Sequence, residues 1–188
     1  MAGYRPTKPS VTTSAPAWSH SRAFVLGYDL SVTMPQFVSS TADMQGDYRY
    51  SLTRVWEPAL PMMTFVLLNP STADEFELDR TLRRCVKFAV RDGYGSMTIL
   101  NLYAYRTKKP EVMLAAADPV GPDNDRSLAS ASGMVVAGWG TNAARARVAH
   151  ALTLLPKLHA LNVTKDGHPQ HPLYVHGPRR SSSGQRRS

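Results

Sequence analysis

Residues 63–74 read MTFVLLNPSTAD, and this stretch decides the fold. Met63 to Leu68 carries a nearly unbroken apolar run. A half-exposed strand would alternate polar and apolar residues, so the run belongs to a strand covered on both faces. Asn69 and Pro70 end it with a turn. Downstream, Leu78, Leu82, Cys85, Val86, Ala89 and Val90 recur at helical spacing, predicting a helix over 78–91 that ends before Gly93 and Gly95. Its opposite stripe, Arg80, Arg84, Lys87 and Arg91, reads as a solvated face in preference to a phosphate track. SMTILNLYA (96–104), GMVVAGWG (133–140) and LHALNVT (158–164) repeat the buried-strand pattern. Helices are expected over 110–117, from near Asp123, and over 142–155 before Pro156. Four apolar strands separated by helices predict an α/β three-layer sandwich with a mostly parallel central sheet. Upstream, AFVLGYDLSV (23–32) and YRYSLTRVW (48–56) predict an N-terminal antiparallel strand pair. Strict alternation places Tyr48, Tyr50, Leu52, Arg54 and Trp56 on one face of the second strand, and Arg49, Ser51, Thr53 and Val55 on the other.

The chain has 188 residues, 43% of them hydrophobic and 19% charged, enough apolar content for one packed domain. Residues 1–23 and 177–188 are rich in Pro, Ser, Thr and Arg without periodicity, and read as a disordered basic arm and a disordered Arg/Ser tail. The domain is assigned to residues 24–176. The formal charge of +8 is unevenly spread. The arm and tail contain seven basic residues and no acid, whereas residues 24–176 hold 15 basic and 14 acidic groups. The basicity therefore predicts salt-sensitive phosphate contacts by the ends, not a basic face on the folded body. One cysteine, Cys85, excludes an internal disulfide framework and a cysteine-rich zinc site. With no long apolar run and no apolar leader, the expected setting is cytoplasmic, away from membranes.

In parallel sheets, ligands bind beyond the carboxyl ends of the strands. Those ends carry Asn69-Pro70-Ser71-Thr72-Ala73-Asp74, Tyr103-Ala104-Tyr105-Arg106-Thr107, Trp139-Gly140-Thr141-Asn142 and the segment 165–172 with His168 and His171. Asn69 can orient a water or read a base edge, while Ser71 and Thr72 can meet an anion through hydroxyl and backbone N–H groups. The plainer reading of this segment is an Asx turn followed by a helix cap. His168 or His171 can donate to a developing anion or act as an acid near neutral pH. A packed turn is the plainer reading of His171. Two histidines without a clear third ligand do not make a metal site, and no cofactor is called for. Arg106 can take a phosphate or carboxylate bidentately, and Trp139, Tyr103 or Tyr105 can stack a base, with a core aromatic as the alternative for Trp139. The acidic run Asp74, Glu75, Glu77 and Asp79 borders the first crevice and can orient a water, hold a metal or favour the helix N-terminus. Asp118, Asp123 and Asp125 read mainly as a turn and helix cap, with Asp123 or Asn124 capping.

Taken in order, YRYSLTRVW, FVLLNPSTAD, LRRCVKFA, GYGSMTILNLYAYRTKKP, DPVGPDND, AGWG and TKDGHPQHPLY resemble the bacterial and phage family called domain of unknown function 1643, over about residues 47–176. That family usually has Asp-Pro-Thr before Arg-Arg-Cys, where this chain has Asp79-Arg80-Thr81. The layout is also similar, more remotely, to the uracil-DNA glycosylase superfamily and its mismatch-specific branch. FVLLNPS is similar to that branch's Gly-Ile-Asn-Pro-Gly motif, with Ser71 in place of the final glycine, and the resemblance gives Asn69 a water-positioning role. TILNLYAYRTKKP is similar to a strand leading into an Arg-Pro-Thr-like loop. TKDGHPQHPLY takes the place of the Asn-Pro-Ser or His-Pro-Ser motif, with His168 or His171 the counterpart.

Three functions follow as expectations. The first is a nucleobase- or nucleotide-directed hydrolase, glycosylase-like, cleaving an N-glycosidic bond. Asn69 would position water with Asp74 assisting, His168 or His171 would stabilise the departing base, and Trp139, Tyr103 or Tyr105 would stack it. The second is a small-molecule enzyme holding an anionic, phosphorylated substrate through Arg106 and the Asn69–Thr72 loop. The third is a non-catalytic nucleotide or nucleic-acid binder.

Overall fold

The computed structural model describes residues 31–71 and 78–175. The arm, the tail, Thr72 and Asp74 lie outside the described residues. Among the described residues, six strands form one mixed sheet: β1 (Ser39–Gln45), β2 (Tyr48–Val55), β3 (Met62–Leu67), β4 (Ser96–Asn101), β5 (Met134–Ala137) and β6 (Leu158–Ala160). Four described helices join them: α1 (Arg80–Arg91), α2 (Pro110–Ala115), α3 (Asn124–Ala129) and α4 (Arg145–Leu154). A 3-10 turn, Pro172–Tyr174, follows β6.

The strand order is β1-β2-β4-β3-β5-β6. β4, β3, β5 and β6 run parallel, and β2 is antiparallel to both β1 and β4. The apolar run opening the sequence analysis is β3, which lies between β4 and β5. From β3 the chain first crosses by α1 to β4, then by α2 and α3 to β5 on the opposite side. Right-handed crossovers in opposite directions place their helices on opposite faces of a sheet. Accordingly, Leu82, Cys85, Val86, Phe88 and Ala89 of α1 pack with Leu52, Phe65, Leu67, Met97 and Ile99 on one face. Met113 of α2, Leu128 of α3 and Ala151 of α4 pack with Val66, Leu100, Val135 and Ala137 on the other. The strand order reverses at β3, and such a reversal opens a crevice at the carboxyl ends of the parallel strands.

Three findings depart from the sequence reading. The partner of β2 is the polar segment Ser39–Gln45, and residues 31–32, the described end of the expected strand 23–32, form no element. Its side chains are almost all exposed, so main-chain pairing and not apolar burial makes β1 a strand. Next, the alternation along β2 is broken. Asp43 pairs with Ser51 but Met44 pairs with Arg49, leaving Tyr50 as an extra, bulged residue. The bulge changes the phase of the strand, so Arg49 reaches the α1 side together with Leu52. Last, the basic stripe of α1 is only partly solvated. Arg84 donates through Nε to the Pro172 carbonyl at 2.8 Å and through its terminal nitrogen to the Val175 carbonyl, tying the 3-10 turn to the helix. Arg91 pairs with Asp92 at 2.6 Å.

Of the four described helices only α1 starts with a side-chain cap. Asp79 is the N-cap of α1, its carboxylate accepting from Leu82 N at 2.8 Å. Asp123 precedes α3 without a side-chain cap, contrary to that expectation. Asn124 instead turns inward, and its amide donates to the carbonyls of Asn101 and Leu102. Arg147 of α4 donates to the Leu102 carbonyl and to Asp125, bracing α3, α4 and the end of β4 together. Among the described residues no helix is long and apolar enough to cross a membrane.

Candidate functional site

A cleft of about 520 Å³ opens where the carboxyl ends of β3, β4, β5 and β6 meet the start of α1. Of the residues expected there, Asn69, Ser71, Trp139 and His171 line it together. Tyr103, Tyr105, Arg106, Pro70 and His168 do not line it. Tyr103 is packed in the α3–α4 core, where its hydroxyl accepts from Ala144 N. Tyr105 sets its ring edge-on to Tyr48 at 6.1 Å. The Arg106 amide donates to the Asp47 carbonyl, while Pro70 is buried with its carbonyl accepting from Asn69 and Thr107 N. His168 closes a turn in which Thr164 N donates to its carbonyl.

The turn after β3 fixes Asn69. Its Nδ2 donates to the Pro70 carbonyl at 3.1 Å and to the Thr107 carbonyl at 2.8 Å. With both amide hydrogens engaged by main chain, Oδ1 remains as an acceptor. Ser71 donates to the second oxygen of Asp79 at 2.9 Å. The cap of α1 is Asp79, not a residue of the Asn69–Thr72 segment, and the Asn69 side chain braces its turn by donating to main-chain carbonyls. Asp79 is the one carboxylate that lines the cleft among the described residues.

Two glycines bring the last wall close. A Cβ on Gly138 would stand 2.9 Å from Pro172 Cδ and 3.1 Å from Leu67 Cδ2, so only glycine lets the 3-10 turn close over the strand end. Gly140 takes φ 74°, in the left-handed region, and its N–H donates to the Pro169 carbonyl. His171 heads that turn. Its Nδ1 accepts from Leu173 N at 3.2 Å, so the neutral ring carries its proton on Nε2. Burial pushes its pKa below the ordinary histidine value, against the opposing pull of Asp79, so the ring is neutral at pH 7. Trp139, 2% exposed, gives the cleft an aromatic wall and belongs to the α3–α4 core as well.

The structure adds lining residues that the sequence reading left out, chiefly Asn101, Arg49, Lys108 and Gln170. Asn101 is the last residue of β4 and 1% exposed. Neither its Oδ1 nor its Nδ2 has a hydrogen-bond partner. Buried carboxamides are nearly always satisfied, so an orphaned pair beside a cleft is an exception that calls for an explanation. Burial and the nearby Arg106 and Arg54 bring the Arg49 guanidinium down to about 10, with Asp79 opposing, and it stays charged at pH 7. Among the described residues, no three His, Cys, Asp or Glu side chains gather as a metal site.

The DUF1643 family model, described as a protein of unknown function, matches residues 49–173, from the bulge of β2 to the 3-10 turn. The chain belongs to the DUF1643 family. The match takes in every described lining residue of the cleft except Tyr174, including Arg49 and Asn101. No curated protein matches this DUF1643 chain.

Protonation of His171 gives the site a measurable pH response. The fold disfavours the protonated ring, so the unfolded chain takes up the proton first as pH falls. The stabilisation is complete above about pH 6.5 and is lost progressively below it. His159, also lowered by burial and by Lys157, acts in the same direction. The melting temperature is therefore expected to fall between pH 7 and pH 5, and His171→Gln is expected to flatten part of that fall. An unchanged profile in the variant would assign the dependence elsewhere.

Proposed function

We propose that the cleft hydrolyses an N-glycosidic bond of a nucleobase-containing substrate. The observation that carries this reading is the buried, unpartnered carboxamide of Asn101 on a wall shared with Asn69, Trp139 and His171. A carboxamide offers one donor beside one acceptor, the complement of adjacent acceptor and donor atoms on a base edge. Trp139 supplies an apolar wall for the ring. The resemblance of FVLLNPS to the water-positioning motif of the mismatch-specific glycosylases supports the same assignment.

In this reading Asn69 Oδ1 accepts a hydrogen bond from the attacking water. The water oxygen bonds to the anomeric carbon as the carbon–nitrogen bond breaks, and the base leaves with the electron pair. The Asp79 carboxylate accepts the proton that the water loses. The Nε2–H of neutral His171 donates to the departing base, stabilising its negative charge. Asp79 takes the assisting part expected of Asp74.

Asn101→Leu tests the assignment because stability and function are expected to move apart. Removing an unsatisfied buried amide is expected to leave the melting temperature unchanged or raise it. Losing a bidentate base contact is expected to reduce base release roughly 10- to 100-fold, given about 1–3 kcal/mol for such a pair. The assay is base release from oligonucleotides bearing uracil, mismatched or modified bases, and from free nucleosides and nucleotides. No release from any member of that panel rejects the proposal.

A further inference from the structure

One edge of the sheet is formed by β1, which pairs with β2 alone among the described residues. An open edge offers main-chain donors and acceptors to any strand that matches them, and proteins usually blunt it with lysine, proline or a bulge. β1, SSTADMQ, has neither lysine nor proline, and the bulge opposite it belongs to β2. Its side chains are exposed apart from the half-buried Ala42.

The register fixes which of its main-chain groups face outward. In an antiparallel ladder, residues bonded to one neighbour alternate with residues bonded to the other. Trp56 N donates to the Gly95 carbonyl, in step with the Leu52–Ile99 and Arg54–Met97 pairs, so Leu52 and Arg54 turn their main chain to β4. Ser51, Thr53 and Val55 turn theirs to Asp43, Thr41 and Ser39 of β1. Ser40 and Ala42, which alternate with those three, direct their amide and carbonyl groups away from β2. The side chains add a pattern. Thr41 lies opposite Thr53, Thr53 opposite Thr98, and Thr98 opposite Thr64. This threonine row crosses four strands on one face, with the Thr53 and Thr98 hydroxyls 2.9 Å apart, and it reaches the edge at Thr41. Val38 and Met44, 65% and 41% exposed, stand equally far along the chain on either side of Thr41.

We propose that a second copy of this chain docks on β1, antiparallel, with the two Thr41 residues facing each other across a twofold axis. In that register Ser40 and the partner's Ala42 exchange main-chain hydrogen bonds, and the axis repeats the exchange. The threonine row continues into the second sheet, and cross-strand threonine pairs favour the contact. Val38 comes opposite the partner's Met44, so each exposed apolar side chain is covered by the other. Asp43, the one charged residue of β1, meets the partner's Ser39 and not its own copy. The contact is isologous and closes at two copies. No β1 residue lines the cleft, so the inference stands apart from the chemistry proposed there.

Sedimentation velocity of the full chain over a range of concentrations tests it. The expected result is a reversible micromolar equilibrium that ends at twice the chain mass of 20.7 kDa, because an edge contact of this length is small. Ser40→Pro deletes an outward N–H and spares the ladder to β2, so it is expected to weaken the dimer roughly tenfold while the melting temperature holds. Thr41→Lys and Thr41→Glu each set like charges against each other at the axis, and each is expected to weaken the dimer roughly fivefold. An equimolar mixture of the two is expected to associate at least as tightly as the unsubstituted chain, because opposite charges then meet, and its recovery shows that both variants are folded. A chain that stays monomeric overturns the proposal. So does a dimer indifferent to Ser40→Pro and to both Thr41 substitutions, which would put the contact on another surface or on residues 1–30. A mixture no tighter than its components overturns the pairing at Thr41, and growth beyond two copies overturns the twofold contact.

Discussion

Asn69→Ala is expected to lower kcat for base release by about 100- to 1,000-fold, within the range general acid–base and water-positioning groups supply. The argument starts from the two main-chain carbonyls that occupy its amide hydrogens, those of Pro70 and Thr107. They hold the side chain in one orientation, so Oδ1 presents an acceptor to water without a further entropic cost. KM is expected to change little, because the interaction is made with water and strengthens toward the transition state. The same substitution removes two hydrogen bonds, at a net cost of roughly 1 kcal/mol each. Melting curves recorded beside the kinetics separate the two effects. Asn69→Asp keeps an acceptor but sets charge against two carbonyl oxygens, so it is expected to destabilise more than alanine. A folded Asn69→Ala variant with unchanged kcat would remove Asn69 from the chemistry.

Phe88→Ala carries the largest expected effect on stability, about 3–5 kcal/mol. Phe88 is fully buried on the inner side of α1, in the core formed with β2, β3 and β4. Its ring also lies under two guanidinium groups, Arg84 at 5.4 Å and Arg91 at 5.0 Å. The alanine variant loses the buried area, leaves a cavity and removes both cation–π contacts. At roughly 2–4 °C per kcal/mol for a chain of this size, the melting temperature should fall on the order of 10 °C. Phe88→Leu keeps most of the burial while losing the aromatic face, so it is expected to cost only about 1 kcal/mol. Differential scanning calorimetry on the pair isolates the contribution of the ring.

The parallel half of the sheet was legible because its strands are buried on both faces and so write themselves as apolar runs. β3, β4 and β5 follow from residues such as Phe65, Ile99 and Val136 without reference to anything distant. β1 was not legible, because Ser39–Gln45 is polar and becomes a strand only through the register of its partner. The Tyr50 bulge was equally hidden, since alternation in YRYSLTRVW reads as unbroken until the register with β1 is known. That single extra residue decides whether Arg49 or Tyr50 reaches the cleft. Asn101 sat inside an apolar run, SMTILNLYA, which was read as one strand through to residue 104. A lone carboxamide in such a run was itself the available signal, because an amide in that setting needs a partner. Arg106 shows the opposite failure. It follows a strand end, yet the chain there turns away, with its amide bonded to Asp47.

The clasp between Arg84 and the carbonyls of Pro172 and Val175 has a consequence for how the protein is made. β3, α1 and β4 are synthesised early and can pack as a unit. The wall bearing Gln170 and His171 leaves the ribosome only after β6. A nascent chain can therefore have most of its sheet assembled while the cleft is still a notch open on one side. Arg84 on α1 receives the carbonyls of the same late segment that buries Val175 in the α1 core, so pocket and core share their final docking step.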